Sequence, residues 1–241
     1  MSIHRYTSPD AQAASEACGR HIVGLLEETL AGQEFATLAV SGGTTPRLLF
    51  DRLAATRFHW ERIHLFWVDE RCVPPNDPAS NFRLANEHLI QPAHIPGRNV
   101  HRIAGELAPK IAAAQYVTDI REFFGLDDNE PPHFDVIHLG MGPDAHVASL
   151  FPGQPLIDDR EGVAAPVFAP QFNQWRVTLL PAALLAAKHA VFLSAGDDKA
   201  DAIRAVFEDE YDPKKYPAQM VSHHGRGVVW FLDDAAAKLL T

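Results

Sequence analysis

The chain is poor in cysteine, in cationic charge and in long apolar runs. Two of its 241 residues are cysteine. Cys18 and Cys72 fall in no C-x-x-C pair and no ligand-like spacing, which argues against a disulfide framework or a thiolate metal site. They read as reduced thiols of a cytosolic protein. No stretch approaches the ~20 apolar residues of a membrane span, and the start, MSIHRYTSPDAQ, lacks the apolar centre of a secretory signal. A cytoplasmic protein that does not touch membranes is expected. Lys and Arg total 21 against 31 Asp and Glu, a formal net charge of −10. That balance argues against a nucleic-acid partner, which needs a basic face. An anionic small molecule stays admissible if cations gather locally. Internal repeats and low-complexity linkers are missing as well.

What is there is an ordinary globular composition, 46% hydrophobic and 22% charged, enough for one α/β domain over residues 1–241. Ser8-Pro9-Asp10 reads as the start of a helix running to about Leu30, with Ser8 as cap. Continuous apolar runs predict buried strands at 35–40, 63–68, 134–139, 190–194 and 228–232. Two further strands, 163–168 and 175–179, are expected to pair with each other. Helices are predicted from Pro46 to about Ala55, from Ser80 to Leu89, and over 108–124 and 197–208. A short helix begins at Pro181 and another follows Asp233. Continuous apolar strands alternating with helices indicate a mainly parallel, Rossmann-like sheet in a three-layer α/β/α arrangement.

Ligands of such folds bind at the carboxyl ends of the strands, and four polar clusters follow strands directly. Ser41-Gly42-Gly43-Thr44-Thr45-Pro46 joins a strand to a helix. Its glycines let backbone N–H groups converge, its hydroxyls add donors, and the helix dipole favours an anion. A plain capped turn would look similar, and the loop lacks the G-K-[ST] ending of a nucleotide-triphosphate site. Asp69-Glu70-Arg71 can orient a polar substrate or form a local ion pair. Lys199 follows Gly196, and Arg176 lies in a strand; each alone is an ordinary cation.

The fourth cluster lies in LGMGPDAHVASLFPG, residues 139–153. Gly140, Gly142 and Ala145 fit the dinucleotide pattern G-x-G-x-x-A, but that pattern needs a full helix after the glycines and an acid closing the next strand. Phe151-Pro152-Gly153 limits any helix to roughly two turns, Pro143 removes a backbone donor, and Asp158 and Asp159 lie in a polar loop. What remains is a histidine, His146, beside a carboxylate, Asp144. Imidazole titrates near pH 6.5, suited to taking a proton from water. The remaining histidines, even His223-His224, have no partner at ligand spacing, so no metal site is expected.

Taken together, the stretches LAVSGGTTPRLLFDRLA, FWVDERCVPPNDPASNFRLA, FDVIHLGMGPDAHVASLFPG and WRVTLLPAALLAAKHAVFLSAGDDKADAI resemble the 6-phosphogluconolactonase family. Its fold is shared with glucosamine-6-phosphate deaminase and ribose-5-phosphate isomerase. Asp-Glu-Arg stands where the deaminase has Asp-Glu-Tyr, and Ala-Ser-Leu-Phe-Pro where it has Ala-Phe-Asn-Glu-Pro. The family loop Asp-Gly-His-Thr reads Asp144-Ala145-His146-Val147 here. Ala145 brings a Cβ to a position that matters if it requires positive φ.

The resemblance implies hydrolysis of 6-phospho-D-glucono-1,5-lactone without a cofactor. His146 would be the base and Asp144 or Asp69 would orient the site. Arg71 or backbone N–H groups would face the oxyanion. Ser41, Gly42, Gly43, Thr44 and Thr45, with Arg176 and Lys199, would hold the phosphate. A sugar-phosphate isomerase or deaminase of the same fold is the alternative. A non-catalytic sugar-phosphate sensor is another, though about 35 residues before the first core strand are too few for a helix-turn-helix module. A monomer or small homo-oligomer is expected.

Overall fold

The computed structural model describes residues 3–127 and 130–241. Ten strands and eight α-helices follow in the order β1 (His4–Ser8), α1 (Ala11–Leu30), β2 (Ala36–Val40), α2 (Thr44–Ala54), β3 (Ile63–Trp67), β4 (Asp69–Arg71), α3 (Asn81–Ala85), β5 (Val100–His101), α4 (Pro109–Phe124), β6 (Val136–Leu139), β7 (Ala164–Ala169), β8 (Gln174–Leu179), α5 (Pro181–Ala186), β9 (His189–Ser194), α6 (Ala200–Glu208), α7 (Ala218–His224), β10 (Val229–Asp233) and α8 (Asp234–Ala237). Seven strands form one parallel sheet in the order β1-β10-β9-β6-β2-β3-β5. The expected pair β7 and β8 is antiparallel and, with β4, makes a separate three-stranded sheet.

The central strands carry no polar face because helices cover both sides. Phe66, Phe192 and Trp230 project to one face, where Phe66 meets Phe123 and Phe124 of α4 and Trp230 meets Phe207 of α6. Phe231, one residue on, projects to the other face and meets His21 of α1.

β2 and β6 are tied at both ends by polar side chains. At the amino end Asp135 accepts from the Thr37 amide (2.9 Å), the Thr37 hydroxyl (2.8 Å) and Lys188 Nζ (2.7 Å), while the Asp135 amide donates back to Thr37 Oγ1 (2.8 Å). At the carboxyl end the Ser41 hydroxyl donates to the His138 carbonyl and accepts from the Gly140 amide, each at 3.1 Å.

The structure departs from the sequence reading in several places. His4–Ser8 is an edge strand, with Ser8 in register with Asp233, so the helix cap falls to Asp10, whose carboxylate accepts from Ala13 N. The segment after Ala145, which left room for at most about two helical turns, forms none, because Ala145 and Ala148 adopt left-handed backbone (φ 62° and 50°). Residues 86–90 widen into a π-turn rather than continuing α3. Strands β4 and β5 and helix α7 were not foreseen.

Candidate active site

The four polar clusters come together. A cavity of about 450 Å³ at the carboxyl ends of β2, β6 and β9 is lined by Ser41 to Pro46, Asp69, Arg71, Asn81, Gly140 to Pro143, His146, Arg176 and Lys199, among others. That volume suits a small ligand.

The loop after β6 presents His146. Its Nδ1 lies 2.6 Å from Asp144 Oδ1. An ionised carboxylate only accepts, so Nδ1 carries the proton and Nε2 is left as the basic nitrogen. Asp144 is also held by the His146 amide at 3.2 Å. Burial pushes the Asp144 carboxyl up, but the hydrogen bond and charge of His146 outweigh it and leave it below the ordinary carboxylate range. A Cβ on Gly142 would fall 2.1 Å from His146 Nδ1 and 2.6 Å from Asp144 Oδ1, so only glycine leaves room for the dyad. The strained Ala145 is anchored on both sides: its amide donates to the Gly142 carbonyl (3.0 Å) and its carbonyl accepts from Ala218 N of α7 (2.9 Å).

Asp69 sits at the centre of a second, buried group. It accepts from Ser149 Oγ at 2.6 Å and from Asn81 Nδ2 at 3.4 Å, and Arg176 Nη1 stands 3.7 Å away. Arg71 and Arg176 are register partners of the antiparallel pair β4 and β8. Burial lowers the Arg176 pKa against the raising charge of Asp69. Glu70 is buried between four donors, the amides of Arg71, Asn81 and Phe82 and the Ser80 hydroxyl, at 2.7 to 3.0 Å. It therefore shapes the Arg71 turn and the start of α3 from beneath and does not line the cavity. Arg71 Nη1 donates to the Ala79 carbonyl at 2.7 Å, which ties that turn together.

The Ser41–Thr45 loop runs into α2, whose N-cap is Gly43 at φ 119° with no capping side chain. First-turn amides without a side-chain partner are donors for an anion. The Ser41 hydroxyl itself is committed to His138 and Gly140. Lys199 pairs with Asp198 at 3.0 Å on the rim. Arg176 lines the same cavity, and its recorded partners are Asp69, Ser149, Phe151 and Phe172. Asn81 and Ser149 were not singled out from sequence. Asn81 had only its position inside ASNFRLA as a signal, and Ser149 lies in the Ala-Ser-Leu-Phe-Pro stretch that differs from the deaminase.

Among the described residues no group of three or more His, Cys, Asp or Glu side chains could hold a metal ion. No helix among them is long and apolar enough to cross a membrane.

Residues 9–230 match the family described as glucosamine-6-phosphate isomerases/6-phosphogluconolactonase. The chain belongs to this family. Within it, the chain is 34% identical over 221 residues to a 6-phosphogluconolactonase of Nostoc, covering 91% of each protein. It is 37% identical over 210 residues to the human 6-phosphogluconolactonase, covering 85% of this chain and 80% of that one. The crystal structure of 6-phosphogluconolactonase from Thermotoga maritima superposes with a TM-score of 0.83 at 30% identity over 96% of this chain and all of the other. A monomeric glucosamine-6-phosphate deaminase, 18% identical, superposes at 0.84 over 98% of this chain and all of the other, so the family's fold extends to that activity.

Proposed function

We propose that the cavity hydrolyses 6-phospho-D-glucono-1,5-lactone to 6-phospho-D-gluconate, the ester-hydrolysis step of the oxidative pentose phosphate pathway. The observation that carries the reading is the Asp144–His146 dyad, 2.6 Å apart, in the same cavity as the loop at the start of α2. The family membership and the lactonase relatives support it, and Asp69-Glu70-Arg71 weighs against the deaminase alternative.

In this mechanism the ring stands over His146 and the phosphate reaches the Ser41–Thr45 loop. His146 Nε2 takes a proton from a water molecule, whose oxygen attacks the lactone carbonyl carbon. Asp144 holds the imidazolium that forms. Negative charge on the carbonyl oxygen is met by Arg71 or by backbone N–H groups. The bond to the ring oxygen then breaks, and His146 returns the proton to that oxygen. The amides of Thr44 and Thr45, with Lys199 and Arg176, hold the phosphate. Binding energy far from the carbonyl thereby fixes the carbonyl against the base. Asp69, with Ser149 and Asn81, orients the floor of the site. We place the reaction in the cytoplasm, in a monomer or small homo-oligomer.

The test is proton release from freshly prepared 6-phosphogluconolactone with and without protein, corrected for spontaneous hydrolysis. A rate no greater than the spontaneous one would overturn the reading.

A further inference from the structure

Arg176 is almost completely buried, yet its polar contacts are long. Nη1 lies 3.4 Å from Ser149 Oγ and 3.7 Å from Asp69 Oδ2, and Nε has no hydrogen-bond partner. What surrounds the guanidinium instead is aromatic: its Cζ stands 4.8 Å from the centre of the Phe172 ring and 5.5 Å from that of Phe151. Both distances fall within the range in which a ring's negative face attracts a cation. The two rings are 6.2 Å apart. Phe151 also meets the His146 ring, with centres 4.7 Å apart. Phe172 is different in character. It is 53% exposed, in the short helical turn joining β7 to β8, so hydrophobic burial does not account for it.

We infer that Phe151 and Phe172 form an aromatic clamp that positions Arg176 in the substrate cavity, and that Phe151 at the same time sets the plane of His146. Both are positioning residues for the reaction proposed above, and the inference rests on that reading. The side chain of arginine has several torsions to fix, and a guanidinium held only by two long contacts to Asp69 and Ser149 can fold onto the carboxylate and cancel its charge. The paired ring faces hold it off Asp69 with its free donors available to an anion. Phe151 couples this cation to the base, because one ring is the neighbour of both.

The experiment compares Phe172→Leu, Phe172→Trp and Phe151→Leu with the wild-type chain, reading kcat, KM and thermal stability. Phe172 is exposed, so both of its variants fold. Leu removes the ring face and raises KM for the phosphorylated lactone about three- to tenfold, with the larger share of the loss in KM; Trp keeps the face and restores KM. Phe151→Leu loses in kcat as well, because it frees the base. Calorimetric affinity for the product, 6-phosphogluconate, gives the same ranking without turnover, so an inactive wild type would remove the proposed reaction while the clamp is still decided. Phe172→Leu with wild-type KM and product affinity, or Phe172→Trp as impaired as Leu, would overturn the clamp.

Discussion

Gly142 and His146 are matched to one another: the imidazole occupies the space that a side chain on residue 142 would fill, with Nδ1 2.1 Å from the place of a Cβ. Gly142 is fully accommodated without positive φ, so its glycine is required by proximity and not by backbone conformation. Gly142→Ala should therefore leave the fold intact and displace the dyad. A shift of about 1 Å at a reacting group costs on the order of 100-fold in rate. Steady-state kinetics with a thermal melt check this, and a variant with wild-type kcat would show that the dyad can relax elsewhere.

His146 as the base leads to a second expectation. His146→Ala should lower kcat by about 10²–10⁴, the usual contribution of a positioned base. Retention of more than about a third of the wild-type rate would remove His146 from that role.

The phosphate assignment of Arg176 is tested with two substrates. A charge-assisted hydrogen bond contributes about 1.5–3 kcal/mol, or about 10- to 150-fold in affinity. Arg176→Ala should raise KM for the phosphorylated lactone by a factor in that range and leave slow hydrolysis of unphosphorylated gluconolactone nearly as it was. Equal losses on both lactones would assign Arg176 to the lactone ring or to the fold.

His138 makes a pH-dependent contribution. It is fully buried in β6, neither ring nitrogen has a hydrogen-bond partner, and burial pushes its pKa down to about 3. An unfolded histidine titrates near 6.5, so below that pH the unfolded chain binds a proton that the folded chain refuses. Stability present above pH 6.5 is lost progressively down to about pH 3. By pH 5 the loss is about 2 kcal/mol, from 1.5 pH units at about 1.36 kcal/mol each. Denaturant unfolding at pH 7 and pH 5 should show His138→Leu escaping that part of the decline. An identical pH dependence in both proteins would refute the assignment.

The sheet core was legible because β2, β3, β6, β9 and β10 are mainly apolar runs, broken inside only by Thr37, His64 and His138, a signal that burial on both faces imposes. β1 was hidden because an edge strand needs no apolar face: its residues, HRYTS, are mostly exposed. β5 spans two residues, too few for any periodicity. The loop after β6 drew attention through Asp144 and His146, and its residues permitted up to about two helical turns that the structure does not contain. Ala145 and Ala148 are good helix formers by propensity, and tertiary anchoring at Ala218 overrides them. Ser41–Thr45, Asp69, Asp144, His146 and Lys199 stood out because each follows a strand. Ser149 did not, since its partner Asp69 lies 80 residues away, and Asn81 and Phe172 did not, since neither directly follows a strand of the parallel sheet.

The tie between Thr37 and Asp135 has a kinetic consequence. It closes a loop of 98 residues, and β9 joins the same corner through Lys188, a further 53 residues on. Parallel pairing at such separations must gather distant segments before any contact rewards them, which slows folding. The edge that carries the candidate site is assembled from loops that follow these same strands. A refolding chain should therefore regain helical signal well before it regains turnover, and no partly zipped sheet has a pocket to offer.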